Sequence, residues 1–324
     1  MGTREEESTI DTATPRRRRG TKTRHARWIA VAGMVLLVAV VCAWMPGTVG
    51  TAGAAALPWT GLLLLVLTVI AAVLARRVIL LLLAPVLVWT LAMAPFFPGA
   101  GASAATDSLT VVSQNVRAHS GGAAASAEAL AASGADVVAL TELDAASLAV
   151  ARETLAVEYP NSYAIGTVGI WSRLPIESTE PLSLGLGWNR ALRIDVQTGD
   201  TSTAVYVIHA ASVRPGQQSD RDAMLSGLAA QIAADPAESI VAVGDFNAAP
   251  ADPGLAALRA ELSWVRPTDG TLGFTWPAAF PLARIDQVFV RGLDVVSATT
   301  MRAGNSDHLA TVTTVTARAS DASP

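Results

Sequence analysis

Charge is scarce in this sequence and unevenly spread. Charged residues make up 15% of the 324-residue chain, where a soluble domain carries about 25%. None occurs in the 48 residues between Arg27 and Arg76, or in the 29 between Arg77 and Asp107. Both stretches are rich in Leu, Val and Ala, and the mean hydropathy of the whole is +0.41. Runs of this kind exclude disorder, collagen and coiled coil as descriptions of the chain, and they indicate membrane segments joined to a soluble portion. Cysteine is nearly absent. Cys42 stands alone inside the first apolar stretch, which rules out an intramolecular disulfide or a cysteine-zinc site and leaves it as a small packing or lipid-facing residue. Lysine is absent beyond Lys22.

About 20 apolar residues span a bilayer. The two charge-free stretches hold three such segments, 28–45, 57–75 and 78–97, with Pro46, Gly47, Gly50 and Gly53 expected to break the chain between the first two. A cleaved signal peptide is the competing reading of the first segment, but two more apolar segments follow it. The Arg16 to Arg19 run lacks the hydrophobic follow-on of a twin-arginine signal and reads as a solvated cytoplasmic cluster. Residues 1–27 form a basic tail with eight Lys/Arg against four acids, Arg76 and Arg77 lie between the second and third segments, and 46–56 carries no charge. The positive-inside bias then predicts a cytoplasmic N-terminus, three crossings and a multi-pass protein of the cell membrane whose large domain is extracellular. If the short turn at Arg76 and Arg77 made segments two and three one re-entrant unit, the domain would lie inside.

Residues 98–108 read as a linker, 109–317 as the domain and 318–324 as a tail. Beyond residue 97 there are 13 arginines and 23 acidic residues, a net charge of −10. Nucleic-acid binding draws its affinity from cations on phosphates, so a long polyanion is a poor partner, whereas a small site with a divalent metal escapes the objection. Strands are predicted at 109–115, 137–140, within 162–172, and at 192–197, 204–208, 240–243, 285–291 and 309–316. Helices are predicted at 123–132, 145–157, 217–234 and 253–262. Consecutive strands argue against an alternating βαβ barrel and for an α/β domain of two packed sheets with helices outside.

The strand ends carry the chemistry. Asn115, Glu142, His209, Asp245 and Asn247 follow strands, and Asp307 and His308 precede one. Alone, Asp245 would serve as a turn former and His308 as a surface group. Together, three carboxylates, two amides and two imidazoles on one rim make an oxygen-rich cation site with acid–base groups beside it.

The ordered set Gln114-Asn115, Thr141-Glu142, Ile208-His209, Gly244-Asp245-Phe246-Asn247, Arg284-Ile285-Asp286 and Ser306-Asp307-His308 closely resembles the endonuclease/exonuclease/phosphatase (DNase I-like) superfamily over about 109–316. The resemblance implies a four-layer sandwich of two packed β-sheets flanked by helices, here preceded by three transmembrane helices. It also implies a divalent-metal-dependent phosphohydrolase. Glu142 would be the principal Mg²⁺ ligand, with Asn115 beside it and Asp307 as a metal-side acid; Mn²⁺ or Ca²⁺ could replace Mg²⁺. Asp245 would orient or deprotonate the attacking water, Asn247 would donate to phosphoryl oxygens, and His209 would make a second phosphate contact. His308 would face the scissile phosphate, held by Asp286. Membrane segments ahead of such a domain resemble the actinobacterial, VanJ-like branch linked to glycopeptide (teicoplanin) resistance.

The sequence departs from nuclease members, which bring basic loops to DNA. Here 185–188 and 273–280 are apolar and aromatic, with Trp188, Phe274, Trp276 and Phe280 suited to a lipid-linked group, to a membrane surface, or to plain packing. Arg173, Arg117 and His119 carry no assignment. The expected reaction is water attack on a phosphate ester or anhydride, with a lipid-linked phosphate or pyrophosphate of the cell envelope as first choice. A surface nuclease and a non-catalytic envelope-binding protein are the alternatives. The topology is open to direct test: alkaline phosphatase fused after Ala105 should be active and a fluorescent protein there dark, the reverse result placing the domain inside.

Overall fold

The computed structural model describes residues 16–105, 107–199, 201–213 and 218–318. Residues 1–15 of the basic tail, Gln217 at the start of the expected long helix and 319–324 of the C-terminal tail lie outside the described residues. The N-terminal part forms three helices, α1 (Arg16–Cys42), which begins within the basic tail, α2 (Gly47–Leu74) and α3 (Ile79–Met93). The spans Arg24–Cys42, Gly47–Leu74 and Arg76–Phe96 are long and apolar enough to cross a membrane. The helices run up, down and up. Ile29, Ala71 and Leu82 meet at one end of the bundle, and Val40, Ala43, Leu57, Ala92 and Met93 meet at the other. Outward-facing Leu65, Val73 and Leu80 stay exposed.

The break expected over 46–56 is only four residues long. α2 begins at Gly47, directly after Pro46, and takes in Gly50, Gly53 and Pro58. These glycines serve close packing rather than chain breaking. A Cβ at Gly50 would lie 1.7 Å from the Met45 carbonyl oxygen, and one at Gly53 would lie 2.6 Å from the Ala43 nitrogen, so only glycine lets α2 start against the end of α1. Residues 98–105 form no helix or strand but lie along the domain, with Gly99 N–H donating to Pro267 O at 2.9 Å and Ala102 N–H to Val295 O at 2.8 Å.

The domain follows in the order β1 (Leu109–Asn115), α4 (Ala123–Ala131), β2 (Val137–Thr141), α5 (Ala145–Leu155), β3 (Asn161–Ile165), β4 (Val168–Ser172), β5 (Ile176–Leu182), β6 (Ala191–Thr198) and β7 (Thr201–His209). It continues with α6 (Gln218–Ala234), β8 (Ser239–Asp245), α7 (Ala256–Glu261), β9 (Ser263–Trp264), β10 (Asp286–Arg291), β11 (Leu293–Met301) and β12 (Ala310–Ala317). One sheet has the order β11-β12-β1-β2-β4-β3 and the other β5-β6-β7-β8-β10-β9. Val111, Val137, Ile170, Ile194, Val207, Val243 and Val288 fill the space between the sheets. α4 and α5 cover the first sheet, α6 and α7 the second. Central strands such as β2 and β4 are buried on both faces, which is why they read as continuous apolar runs. The fold is the four-layer α/β sandwich that the sequence predicts.

β5 and β11, which the sequence does not announce, are edge strands. They need bury only part of their surface, so β5 keeps exposed polar residues and a proline, and β11 lacks a clean alternation. β1 pairs in parallel with β2, and β7 with β8. Their carboxyl ends therefore open onto the same rim, where the antiparallel β10 and β12 begin. Gly244 makes the close approach on which this rim rests. Its φ is +132° and a Cβ there would meet the Ile208 carbonyl oxygen at 2.1 Å. Gly244→Ala should cost about 2 kcal/mol or more, seen as a lower midpoint in chemical denaturation. An unchanged midpoint would mean that β7 and β8 separate freely.

Candidate active site

Every strand-end residue singled out by the sequence reaches this rim. Asn115 closes β1, and Glu142 follows β2 in a left-handed conformation (φ +58°), as does Asn247 after β8 (φ +48°). Such geometry costs non-glycine residues about 1–3 kcal/mol and persists where neighbours over-determine it. Leu143 N–H, next to Glu142, is tied to Thr167 O at 3.0 Å. The Asn115 side-chain nitrogen donates to Glu142 Oε2 at 2.7 Å and to Asp245 Oδ2 at 2.9 Å. Asn247 N–H donates to Asp245 Oδ1 at 2.9 Å, and its side-chain nitrogen donates to Ala210 O at 3.0 Å.

Asp245 and Asp286 face each other in register on β8 and β10, both buried. Burial, and then the neighbouring Asp286 charge, push Asp245 up to about 7. His308 Nδ1–H donates to Asp286 Oδ2 at 2.8 Å. Burial alone would disfavour the imidazolium, but the Asp286 charge and hydrogen bond outweigh it and carry His308 up to about 9. Asp307 lies half-exposed beside them, 4.0 Å from Arg117 Nε.

Two groupings could hold a cation. Ligand atoms of Asp245, Asp286 and His308 all lie within 4.8 Å of one another. That trio contains an imidazole whose Nδ1 is engaged and which favours its charged form, so it suits proton handling better. Glu142 and Asp245, with Asp307 at the rim, offer oxygen donors of the type hard divalent ions prefer, while Asn115 turns its amide nitrogen to both carboxylates and its oxygen to Arg117 N–H. Among the described residues, Asp286 Oδ1 is buried without a hydrogen-bond partner.

His209 takes an arrangement that its sequence position does not reveal. Its Nε2 lies 2.8 Å from Arg190 Nη2 and its Nδ1 lies 3.0 Å from Thr167 Oγ1. Arginine only donates, so Nε2 accepts and the ring proton sits on Nδ1, shared with Thr167. Burial, then the Arg190 charge, hold His209 well below its ordinary value, so it stays neutral. Both ring nitrogens are thus occupied, and the cation presented beside His209 is Arg190, stacked over Trp188 at 4.9 Å. Gln114 and Ser306 stand in the sequence only as neighbours of the motif residues Asn115 and Asp307. Gln114 Nε2 donates to the carbonyls of Ala303 and His308 at 2.9 and 3.0 Å, and Ser306 Oγ donates to Asn115 O. They tie the end of β1 to the loop before β12.

The rim opens into a cleft of about 480 Å³, bordered by Glu142, Asp245, Asn247 and His308, by Trp276, and by Thr51 and Ala55 of α2. Of the other aromatic loop residues, Phe274 stacks on Trp59 of α2 at 5.8 Å, while Trp188 and Phe280 are exposed. Arg173, left unassigned, pairs with Glu158 at 2.6 Å, and His119 pairs with Asp144 at 2.9 Å.

Because His308 has a folded-state pKa of about 9 against an ordinary 6.5, its pairing with Asp286 stabilises the fold fully below the lower value and fades as pH rises through the higher. In the absence of added metal, melting temperatures of wild type and Asp286→Asn should differ by several degrees at about pH 6 and draw together by about pH 10. A gap that stays constant would mean that the pair does not titrate as a unit.

No curated protein sequence matches the chain. Solved structures do match its fold. One is D. rerio TDP2 humanized by 14 mutations, at 20% identity and TM-score 0.56, covering 65% of this chain and 100% of that one. Another is an endonuclease/exonuclease/phosphatase from Beutenbergia cavernae, at 21% identity and TM-score 0.53, covering 65% of this chain and 72% of that one. A functionally unknown conserved protein from Enterococcus faecalis matches at 14% identity and TM-score 0.55, covering 65% and 100%. At such identities the likeness is one of fold. The sequence model of one family matches residues 112–308, more than half of the chain, and on that match this protein belongs to the endonuclease/exonuclease/phosphatase family, whose members hydrolyse phosphoester bonds with divalent metal ions.

Proposed function

We propose that this chain is a membrane-anchored, Mg²⁺-dependent phosphohydrolase that cleaves a lipid-linked phosphate or pyrophosphate of the cell envelope, in a setting related to glycopeptide resistance. The observation that carries the reading is the composition of the cleft. A buried acid–base rim forms one side, and α2, an apolar helix long enough to cross a bilayer, forms another. α2 has 28 residues, about 42 Å at 1.5 Å per residue against a hydrocarbon core of about 30 Å, so its first turns extend beyond the lipid tails to the height of the cleft. Trp28 near one end of the bundle and Trp44 at the other are exposed, the positions aromatic residues take at the two interfaces. Exposed Trp276, Phe280 and Leu282 border the same side of the domain, a set suited to the headgroup layer. The net charge of −10 beyond residue 97 weighs against DNA.

The up-down-up order puts Arg24, Arg27, Arg76 and Arg77 at the end of the bundle away from the domain. With basic residues on the cytoplasmic side, the cleft faces outward.

Glu142 and Asn115, with Asp307 near the rim, would hold the cation, which supplies charge neutralisation for the phosphoryl oxygens. Asp245, poised at about 7, is matched to accept a proton from the attacking water near neutral pH. Asn247 donates to a phosphoryl oxygen. As the new P–O bond forms, the old one breaks, and His308, kept charged by Asp286, gives its proton to the leaving oxygen. Arg190, presented by His209, adds a cation beside the cleft.

The test is a panel of lipid phosphates and pyrophosphates, soluble phosphodiesters and DNA, offered to the purified full chain with Mg²⁺. Turnover of DNA in preference to lipids would select the nuclease reading, and no metal-dependent turnover would select a binding protein. Glu142→Gln should lower turnover about 10²-fold, in keeping with the several kcal/mol a polarising cation contributes, and excess Mg²⁺ should recover part of it. Wild-type turnover at ordinary Mg²⁺ would remove Glu142 from the ligand set.

A further inference from the structure

Thr51 lies in the second turn of α2, on the stretch that borders the cleft. Its hydroxyl oxygen accepts from Arg221 Nη2 at 3.0 Å and from Gln218 Nε2 at 2.8 Å, both on α6. Arg221 is 1% exposed and turns every nitrogen into one cluster. Nε and Nη2 donate to Asp222 Oδ1 at 3.0 and 2.6 Å, and Asp252 takes both terminal nitrogens, Nη1 on Oδ2 at 2.8 Å and Nη2 on Oδ1 at 3.2 Å. Nη1 also donates to the backbone carbonyl of Asn247 at 3.0 Å. Asn247 is one of the two site residues in the left-handed region, so its pose depends on what holds it. α2 also presses on the turn that follows Asn247, where a Cβ at Gly50 would come within 3.0 Å of Pro253 Cγ.

We propose that α2 is a structural part of the catalytic site, with Thr51 a positioning residue that acts through Arg221 on Asn247. The inference rests on the phosphohydrolase reading of the rim. The guanidinium is a planar fork whose N–H directions are fixed relative to one another. Thr51, Asp222 and Asp252 together set its plane, and that plane aims Nη1 at the Asn247 carbonyl. Without the Thr51 oxygen, Nη2 keeps only its two carboxylate acceptors, Asp222 and Asp252, and the Gln218 amide loses its shortest hydrogen bond. The fork shifts toward the two carboxylates, and the strained Asn247 backbone loses the restraint on its carbonyl. The three-helix unit is then required for turnover even of a substrate that never enters a bilayer.

The experiment uses the full chain in detergent micelles with Mg²⁺ and bis(p-nitrophenyl) phosphate, a water-soluble diester. Thr51→Val, nearly the same volume, should lower kcat about three- to tenfold, since small misplacements at a reacting centre are amplified in rate, with KM little changed. Thr51→Ser should restore it, and Thr68→Val, farther along the same helix, should leave it as in wild type. Backbone amide exchange over residues 247–254 should quicken in Thr51→Val and return to normal in Thr51→Ser. Wild-type kcat and wild-type exchange in Thr51→Val would overturn the inference while leaving the phosphohydrolase reading intact. If the wild type cleaves no phosphate ester, that reading fails by itself, and the exchange measurement alone decides the coupling: quickening confined to 247–254 sustains it and unchanged exchange ends it.

Discussion

Asp245 and Asp286 sit opposite one another on paired strands, both almost fully buried. Two carboxylates at that spacing repel, and burial leaves them little hydration, so something must neutralise them. The fold supplies His308 to one and the Asn115 and Asn247 amides to the other. Placing those partners requires the ends of β1, β8, β10 and β12 to converge, which requires the two sheets to pack with their strand ends aligned. The apolar layer between the sheets is thus what makes the acidic pair tolerable, and the pair in turn gives the rim its uneven distribution of protons.

The bundle and the domain are joined as closely as the two sheets are. Trp59 stacks on Phe274 and donates from Nε1 to Leu282 O at 2.9 Å. Phe96 meets Trp264 edge-on at 5.5 Å, and Ala251 and Leu272 pack into the layer formed by Leu57 and Met93. The aromatic residues of the 273–280 loop therefore divide their tasks. Phe274 fastens the helices to the loop, Trp276 borders the cleft, and Phe280 stays exposed.

Central strands were legible because burial on both faces leaves an unbroken apolar run, and the strand-end polar residues were legible because they interrupt such runs. The Gly244-Asp245-Phe246-Asn247 segment announced both a tight approach and a site. Edge strands β5 and β11 were not legible, because partial burial imposes no pattern. The start of α2 departs from the sequence expectation because glycine and proline are ambiguous in an apolar stretch: the same residues that end helices also let helices pack closely. The side chains that hold the site from behind were invisible for another reason. Arg221 meets Thr51 across 170 positions of sequence and Gln114 meets His308 across 194. No local signal marks such contacts, and Arg190 beside His209 belongs to the same class.

Residues 98–105 bear one more consequence. Their hydrogen bonds to Pro267 and Val295 leave little slack between the last apolar helix and the first strand, so the domain does not swing on a tether. A catalytic cleft mounted this way keeps one height and one tilt relative to its helices. For a chain inserted in a bilayer, encounters then happen in a plane. The relevant concentration becomes the number of substrate molecules per unit area of membrane, and lateral diffusion in the sheet, rather than tumbling in solution, sets how often the cleft is filled.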